Sequence, residues 1–138
     1  IEDHQVGEVS EVIRNITFEP FEFRVEGVGV FPNLKRPKTI WAGISTGVEE
    51  LSNLFNEVNT GLAKLGFEKD RRRFHPHLTI ARVRGGQKRD QLVDALLGME
   101  EMEFGTVKVD RLYLKKSVLT QKGPIYSTLA ESKPSADI

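Results

Sequence analysis

The feature that most constrains this chain is the stripe Val48, Leu51, Phe55, Val58, Leu62 and Leu65. Apolar residues recurring at three and four mark one face of a helix that has to be buried against something else. Thr46-Gly47-Val48-Glu49 ahead of it has the spacing of a capping box, and Gly66 stands where a left-handed cap ends a helix. A second stripe, Val6, Val9, Val12, Ile13 and Ile16, predicts another amphipathic helix over residues 3–16.

Between the helices the period changes to two. Phe21, Phe23 and Val25 alternate with charged neighbours and lead on to Val28 and Val30, and Ile40, Ala42 and Ile44 alternate again after a turn-rich loop. Residues 74–84 read as a third strand after a polar loop at 68–73, and Leu92, Val93, Leu96 and Leu97 as a short helix. Val107, Val109, Leu112 and Leu114 predict one long strand with a kink or bulge. Gly123-Pro124 predicts a turn and residues 125–129 a last strand, with a loose tail over residues 131–138. Strands joined by turns, with helices interspersed, favour antiparallel pairing with helices on one face, an α+β domain.

At 138 residues the chain fits one domain that buries a core without staples. It has no cysteine, which excludes disulfides and thiolate metal sites and favours a cytoplasmic location. No apolar run approaches a membrane-spanning length, so no membrane partner is expected. The 20 basic and 20 acidic side chains balance. A protein that grips a long duplex usually carries a basic excess, so any nucleic-acid contact is expected at an end or a short segment. Residue 1 is Ile within an incipient helix, which leads us to expect further residues upstream.

The stretch that carries chemistry is Phe74-His75-Pro76-His77-Leu78-Thr79-Ile80-Ala81-Arg82. Alternate residues on a strand share a face, so His77 and Thr79 point one way, and Leu78 and Ile80 point oppositely, into a core. Imidazole titrates near neutrality and suits general acid or base work. The threonine hydroxyl donates to a phosphoryl oxygen from a stiff, β-branched mount. Alone, a His-x-Thr triplet reads first as an ordinary strand histidine.

The segment nevertheless resembles the second His-x-Thr-x motif of the two-histidine phosphoesterases. More narrowly it is similar to the 2′,5′ RNA ligase / RNA 2′,3′-cyclic phosphodiesterase family of bacteria and archaea. Gly27-Val28-Gly29-Val30-Phe31-Pro32, Ile40-Trp41-Ala42-Gly43, Leu62-Ala63-Lys64-Leu65-Gly66-Phe67, Lys115-Lys116-Ser117 and Lys122-Gly123-Pro124-Ile125-Tyr126 extend the likeness over nearly the whole chain. The resemblance implies two lobes of antiparallel sheet with helices on the outer faces and a His-x-Thr motif from each lobe lining a central cleft. It implies metal-independent hydrolysis of a terminal 2′,3′-cyclic phosphate to a 2′-phosphate, reversible as 2′,5′ ligation, with RNA ends or nucleotide cyclic phosphates as partners and no cofactor. His77 would be the proton acceptor and Thr79 a phosphate ligand, with Arg82 and Tyr126 as substrate contacts. Strict strand parity puts Arg82 opposite His77, so it reaches the site only if the strand bends or ends there.

One departure stands out. The family carries two His-x-Thr motifs and this sequence has one, because Val6 stands where a threonine would have to follow His4. The first lobe is therefore expected to be incomplete, lacking about 40–50 upstream residues, with the other motif on that segment or on a separate chain and the protein a monomer. The alternative is a non-catalytic RNA- or nucleotide-binding module of the same fold. His75 and His77 lie two apart, but no carboxylate cluster completes a metal site. Arg71-Arg72-Arg73, and likewise Lys35, Arg36 and Lys38, read as solvated surface or as attractors of RNA phosphates. Trp41 reads as sheet packing, with base stacking as its other use.

Overall fold

The computed structural model describes residues 1–134. The elements run α1 (Asp3–Arg14), β1 (Phe21–Phe31), β2 (Thr39–Thr46), α2 (Val48–Ala63), β3 (His77–Arg82), α3 (Arg89–Leu97), β4 (Glu103–Val109), β5 (Tyr113–Thr120) and β6 (Gly123–Glu131). The chain divides into two compact units. One comprises residues 1–21, 52–73 and those from 109 onward, and the other residues 22–51 and 74–108.

In the first unit α1 and α2 pack together, and the α2 residue buried most deeply is Leu54, which the stripe read from the sequence left out. Ile13, Ile16 and Leu54 are buried together, and Val12, Phe18, Phe21, Val58, Val109, Leu112 and Leu114 pack around them. The helices approach closely at Gly61, where an added Cβ would sit 2.6 Å from Cγ1 of Val12. Burial of Ile13, Ile16 and Leu54, worth about 1.5–3 kcal/mol each, and partial burial of the side chains around them hold the unit together. β5 and β6 form an antiparallel hairpin that contacts α1. Gly66 ends α2 as expected, with φ of 95° and the Phe67 N–H donating to the Leu62 carbonyl at 3.2 Å. The loop after it is tied back by Asn59, whose amide donates to the Asp70 carbonyl at 2.7 Å and accepts from the Asp70 N–H at 2.9 Å.

The second unit contains a four-stranded sheet in the order β3-β2-β1-β4, with β1–β2 and β2–β3 antiparallel, and α3. Burial on one face centres on Val25, Ile40 and Ala42, in the two inner strands.

Several expectations need correction. The long kinked strand is two strands. β4 belongs to the four-stranded sheet and β5 to the hairpin, because residues 110–112 leave one sheet before the other begins. Thr46 does not start a helix. It ends β2, and its hydroxyl accepts the Arg24 N–H at 3.1 Å, a use that strand pairing imposes. Gly123 and Pro124 are in β6, opposite Thr120 and Leu119, so the turn lies at residues 121–122. The tail is tied at its start. Ser132 is 1% exposed, and its hydroxyl accepts the Leu112 N–H at 2.9 Å; residues 135–138 lie outside the described residues. Leu78 and Ile80 do not enter a core. They are 44% and 52% exposed, because β3 is an edge strand and burial falls away from the inner strands.

Candidate functional site

β3 begins at His77 rather than at Phe74. Pro76 has no N–H for a ladder, so pairing starts after it. The register against β2 then fixes which side chains share a face. His77 lies opposite Gly43, Leu78 opposite Ala42, Thr79 opposite Trp41, Ala81 opposite Ile40 and Arg82 opposite Thr39. Directly paired residues project to the same side of a sheet. His77 and Thr79 therefore share a face with Gly43, Trp41 and Thr39, roughly 7 Å apart along the strand.

Between Thr79 and Ala81, β3 spends two residues where β2 spends one, so Ile80 is the extra residue of a β-bulge. The bulge reverses the parity of everything after it. Arg82 consequently joins the face of His77 and Thr79, the side that simple alternation denied it. A guanidinium there suits a phosphate oxygen, which it can meet with two parallel N–H donors.

His77 is held by its neighbours. Its Nδ1 lies 2.7 Å from the carbonyl oxygen of His75. A carbonyl oxygen only accepts, so Nδ1 carries the proton and Nε2 of the neutral ring keeps its lone pair. The ring also stands edge-on to Phe31 at 5.3 Å between centroids and to Trp41 at 6.2 Å, while Phe31 and Trp41 are 5.3 Å apart. The β1–β2 register places Gly29 beside Trp41 and Phe31 beside Thr39, which puts all of them on the same face as His77.

Gly29 explains how the indole lies there. A Cβ at Gly29 would overlap the six-membered ring of Trp41, with Cε2 only 2.7 Å away. Trp41 is thus a packed, half-buried platform that uses the space glycine leaves. We expect Gly29→Ala to cost about 1–3 kcal/mol of stability by overpacking and to displace the indole from His77. Thermal unfolding and the indole fluorescence of the variant would check this, and unchanged values in both would refute the close packing.

The sequence did not reveal Phe31, Gly29 or the His75 carbonyl as parts of the site, and a backbone carbonyl leaves no side-chain signal at all. Tyr126 is in the other unit, on β6 opposite Ser117, and 64% exposed. The side chain of His75 is exposed, and among the described residues no three His, Cys, Asp or Glu side chains gather as a metal site. Arg72 is engaged by Asp70, its Nε lying 3.2 Å from Oδ1 and its Nη2 3.1 Å from Oδ2. Hydrogen bonding from Arg72 holds the Asp70 carboxyl below the usual carboxylate range.

Among the described residues, no helix is long and apolar enough to cross a membrane. The chain is 40% identical over 126 residues to the RNA 2′,3′-cyclic phosphodiesterase of Aeropyrum pernix, covering 91% of this chain and 72% of that one. It is 38% identical over 127 residues to the enzyme of the same name from Archaeoglobus fulgidus, covering 92% and 70%. Its fold superposes on a crystal structure from Thermus thermophilus with a TM-score of 0.65 at 25% identity, over 92% of this chain and 66% of that one. On apo LigT of E. coli the TM-score is 0.70 at 18% identity, over 95% and 68%. Residues 3–119, which include the whole His77 face and its bulge, match the 2′-5′ RNA ligase superfamily, and the chain belongs to that family.

Proposed function

We propose that this protein is a metal-independent RNA 2′,3′-cyclic phosphodiesterase that opens a terminal 2′,3′-cyclic phosphate to a 2′-phosphate. The observation that carries the reading is the 2.7 Å approach of His77 Nδ1 to the His75 carbonyl, which assigns the proton to Nδ1 and leaves Nε2 to act on the face that His77 shares with Thr79 and Arg82. The relatives named above are enzymes of this activity, which favours a hydrolase over a binding module of the same fold. LigT, which shares the fold, has been crystallised with 3′-AMP, in keeping with a nucleotide phosphate as ligand.

In the proposed reaction, His77 Nε2 takes a proton from water as the water oxygen attacks phosphorus. The P–O3′ bond breaks in line, and the 3′ oxygen leaves protonated. Thr79 Oγ1–H and the Arg82 guanidinium hold the non-bridging oxygens, whose charge grows in the transition state. The proton for the 3′ oxygen comes from a second acid, which we assign to a histidine of a second His-x-Thr motif not contained in residues 1–138. With a 5′-hydroxyl attacking in place of water, the same displacement forms a 2′,5′ linkage and frees the 3′-hydroxyl. Tyr126 would contact the substrate, and the protein would work as a cytoplasmic monomer.

The test is hydrolysis of a short RNA ending in a 2′,3′-cyclic phosphate with EDTA present, using the whole protein and resolving 2′- from 3′-phosphate products. We expect conversion to the 2′-phosphate alone at a rate EDTA does not change. Binding without turnover would favour the non-catalytic module.

A further inference from the structure

The loops at the far end of β3 form a basic pocket that the reaction above does not use. The β1–β2 loop contributes Arg36, Pro37 and Lys38, the β3–α3 loop contributes Val83, Gly85 and Gln87, and α3 contributes Arg89 and Leu92. Together they enclose a cavity of about 330 Å³. A backbone hydrogen bond from Val83 N–H to the Lys38 carbonyl at 2.9 Å ties the two loops, and one from Lys38 N–H to the Phe31 carbonyl at 2.8 Å closes the β1–β2 loop. The Asn33 side chain holds the turn by accepting the Arg36 N–H at 3.0 Å. Arg89 lies against the bare backbone of Gly86, where an added Cβ would be 3.2 Å from its guanidinium.

The charge here is one-sided in a chain whose net charge is zero. Residues 31–48 and 71–89 contain no Asp or Glu at all. Among the described residues, none of Arg36, Lys38, Arg84, Lys88 and Arg89 has a carboxylate within salt-bridge distance. Asp90 and Asp94 line an adjoining depression with Leu34, Lys35 and Val93, and Arg89 borders both. Three of these cations, Arg36, Lys38 and Arg89, line the half-open pocket beside Gln87, a neutral donor, and that lining suits a phosphate.

The position selects which phosphate. Val83 follows the last residue of β3 and lies four residues beyond Thr79, roughly 13 Å along an extended chain. That exceeds the span between the two phosphates of a single nucleotide. We propose that this pocket binds an internal phosphodiester of the RNA strand, upstream of the cyclic end held at His77. The proposal rests on the RNA cyclic phosphodiesterase reading. It makes the protein a reader of strand ends rather than of free cyclic nucleotides. Because such contacts are to the backbone, they add affinity without sequence preference.

The test compares the whole protein with its Arg36→Gln/Arg89→Gln variant on three substrates. These are a pentanucleotide ending in a 2′,3′-cyclic phosphate, a nucleoside 2′,3′-cyclic phosphate, and the same mononucleotide carrying a 5′-phosphate. We expect kcat/KM for the pentanucleotide to fall about tenfold, mainly through KM, and its salt slope to flatten by about 0.7 per lost phosphate contact. Both mononucleotides should change by less than about twofold. Equal losses on all three substrates, no loss on any, or a loss confined to the 5′-phosphorylated mononucleotide would overturn the proposal. If the unaltered protein turns over none of them, the catalytic reading fails on its own. Fluorescence anisotropy with a labelled pentanucleotide ending in a 2′-phosphate then decides the pocket. Weaker binding by the variant supports it, and equal binding overturns it.

Discussion

His77→Ala is expected to lower kcat for hydrolysis of an RNA 2′,3′-cyclic phosphate by about 10²–10⁴-fold, the range for losing a positioned general base. The variant should remain folded, because the side chain is exposed and, among the described residues, its one hydrogen bond is to a neighbouring backbone carbonyl. The loss should fall on kcat rather than on KM, since a base acts in the transition state and grips little in the ground state. Adding free imidazole should restore part of the rate, because the alanine leaves space where the ring stood edge-on to Phe31 and Trp41. Steady-state kinetics beside a thermal melt decides the matter, and an unchanged kcat would remove His77 from the chemistry.

Thr79→Val should lower kcat/KM by about 10²–10³-fold, the usual loss when one donor to a developing oxyanion is removed. Valine keeps the β-branched shape opposite Trp41, so the strand register should survive while the hydroxyl disappears. Thr79→Ser, which keeps the hydroxyl, should recover most of the activity. If valine and serine behave alike, packing rather than phosphate binding accounts for the position.

The pairing of His77 with Thr79 was legible in the sequence because it needs only the alternation of a strand, a property of neighbouring residues. The stripes of α1 and α2 were legible for the same reason, as was the cap at Gly66. Arg82 shows where that logic stops. Its face depends on the bulge at Ile80, and a bulge is a property of two paired strands, since it exists only where β2 advances one residue against two. Thr46 teaches the same lesson. Its spacing to Glu49 suits a cap, but its hydroxyl serves Arg24, a residue that sequence order places 22 positions away.

Periodicity and turn chemistry thus determined which residues could stand together on one helix or one strand, since those relations are set by local backbone geometry. The tertiary structure decided the rest. It sent β4 and β5 to different sheets, laid the Trp41 indole over Gly29, and brought Arg36 from a loop and Arg89 from α3 to one pocket. It also spent the Nδ1 proton of His77 on a carbonyl that no side-chain pattern encodes. These outcomes follow from strand pairing and close packing between segments far apart in the chain, where the energy of each contact depends on all the others.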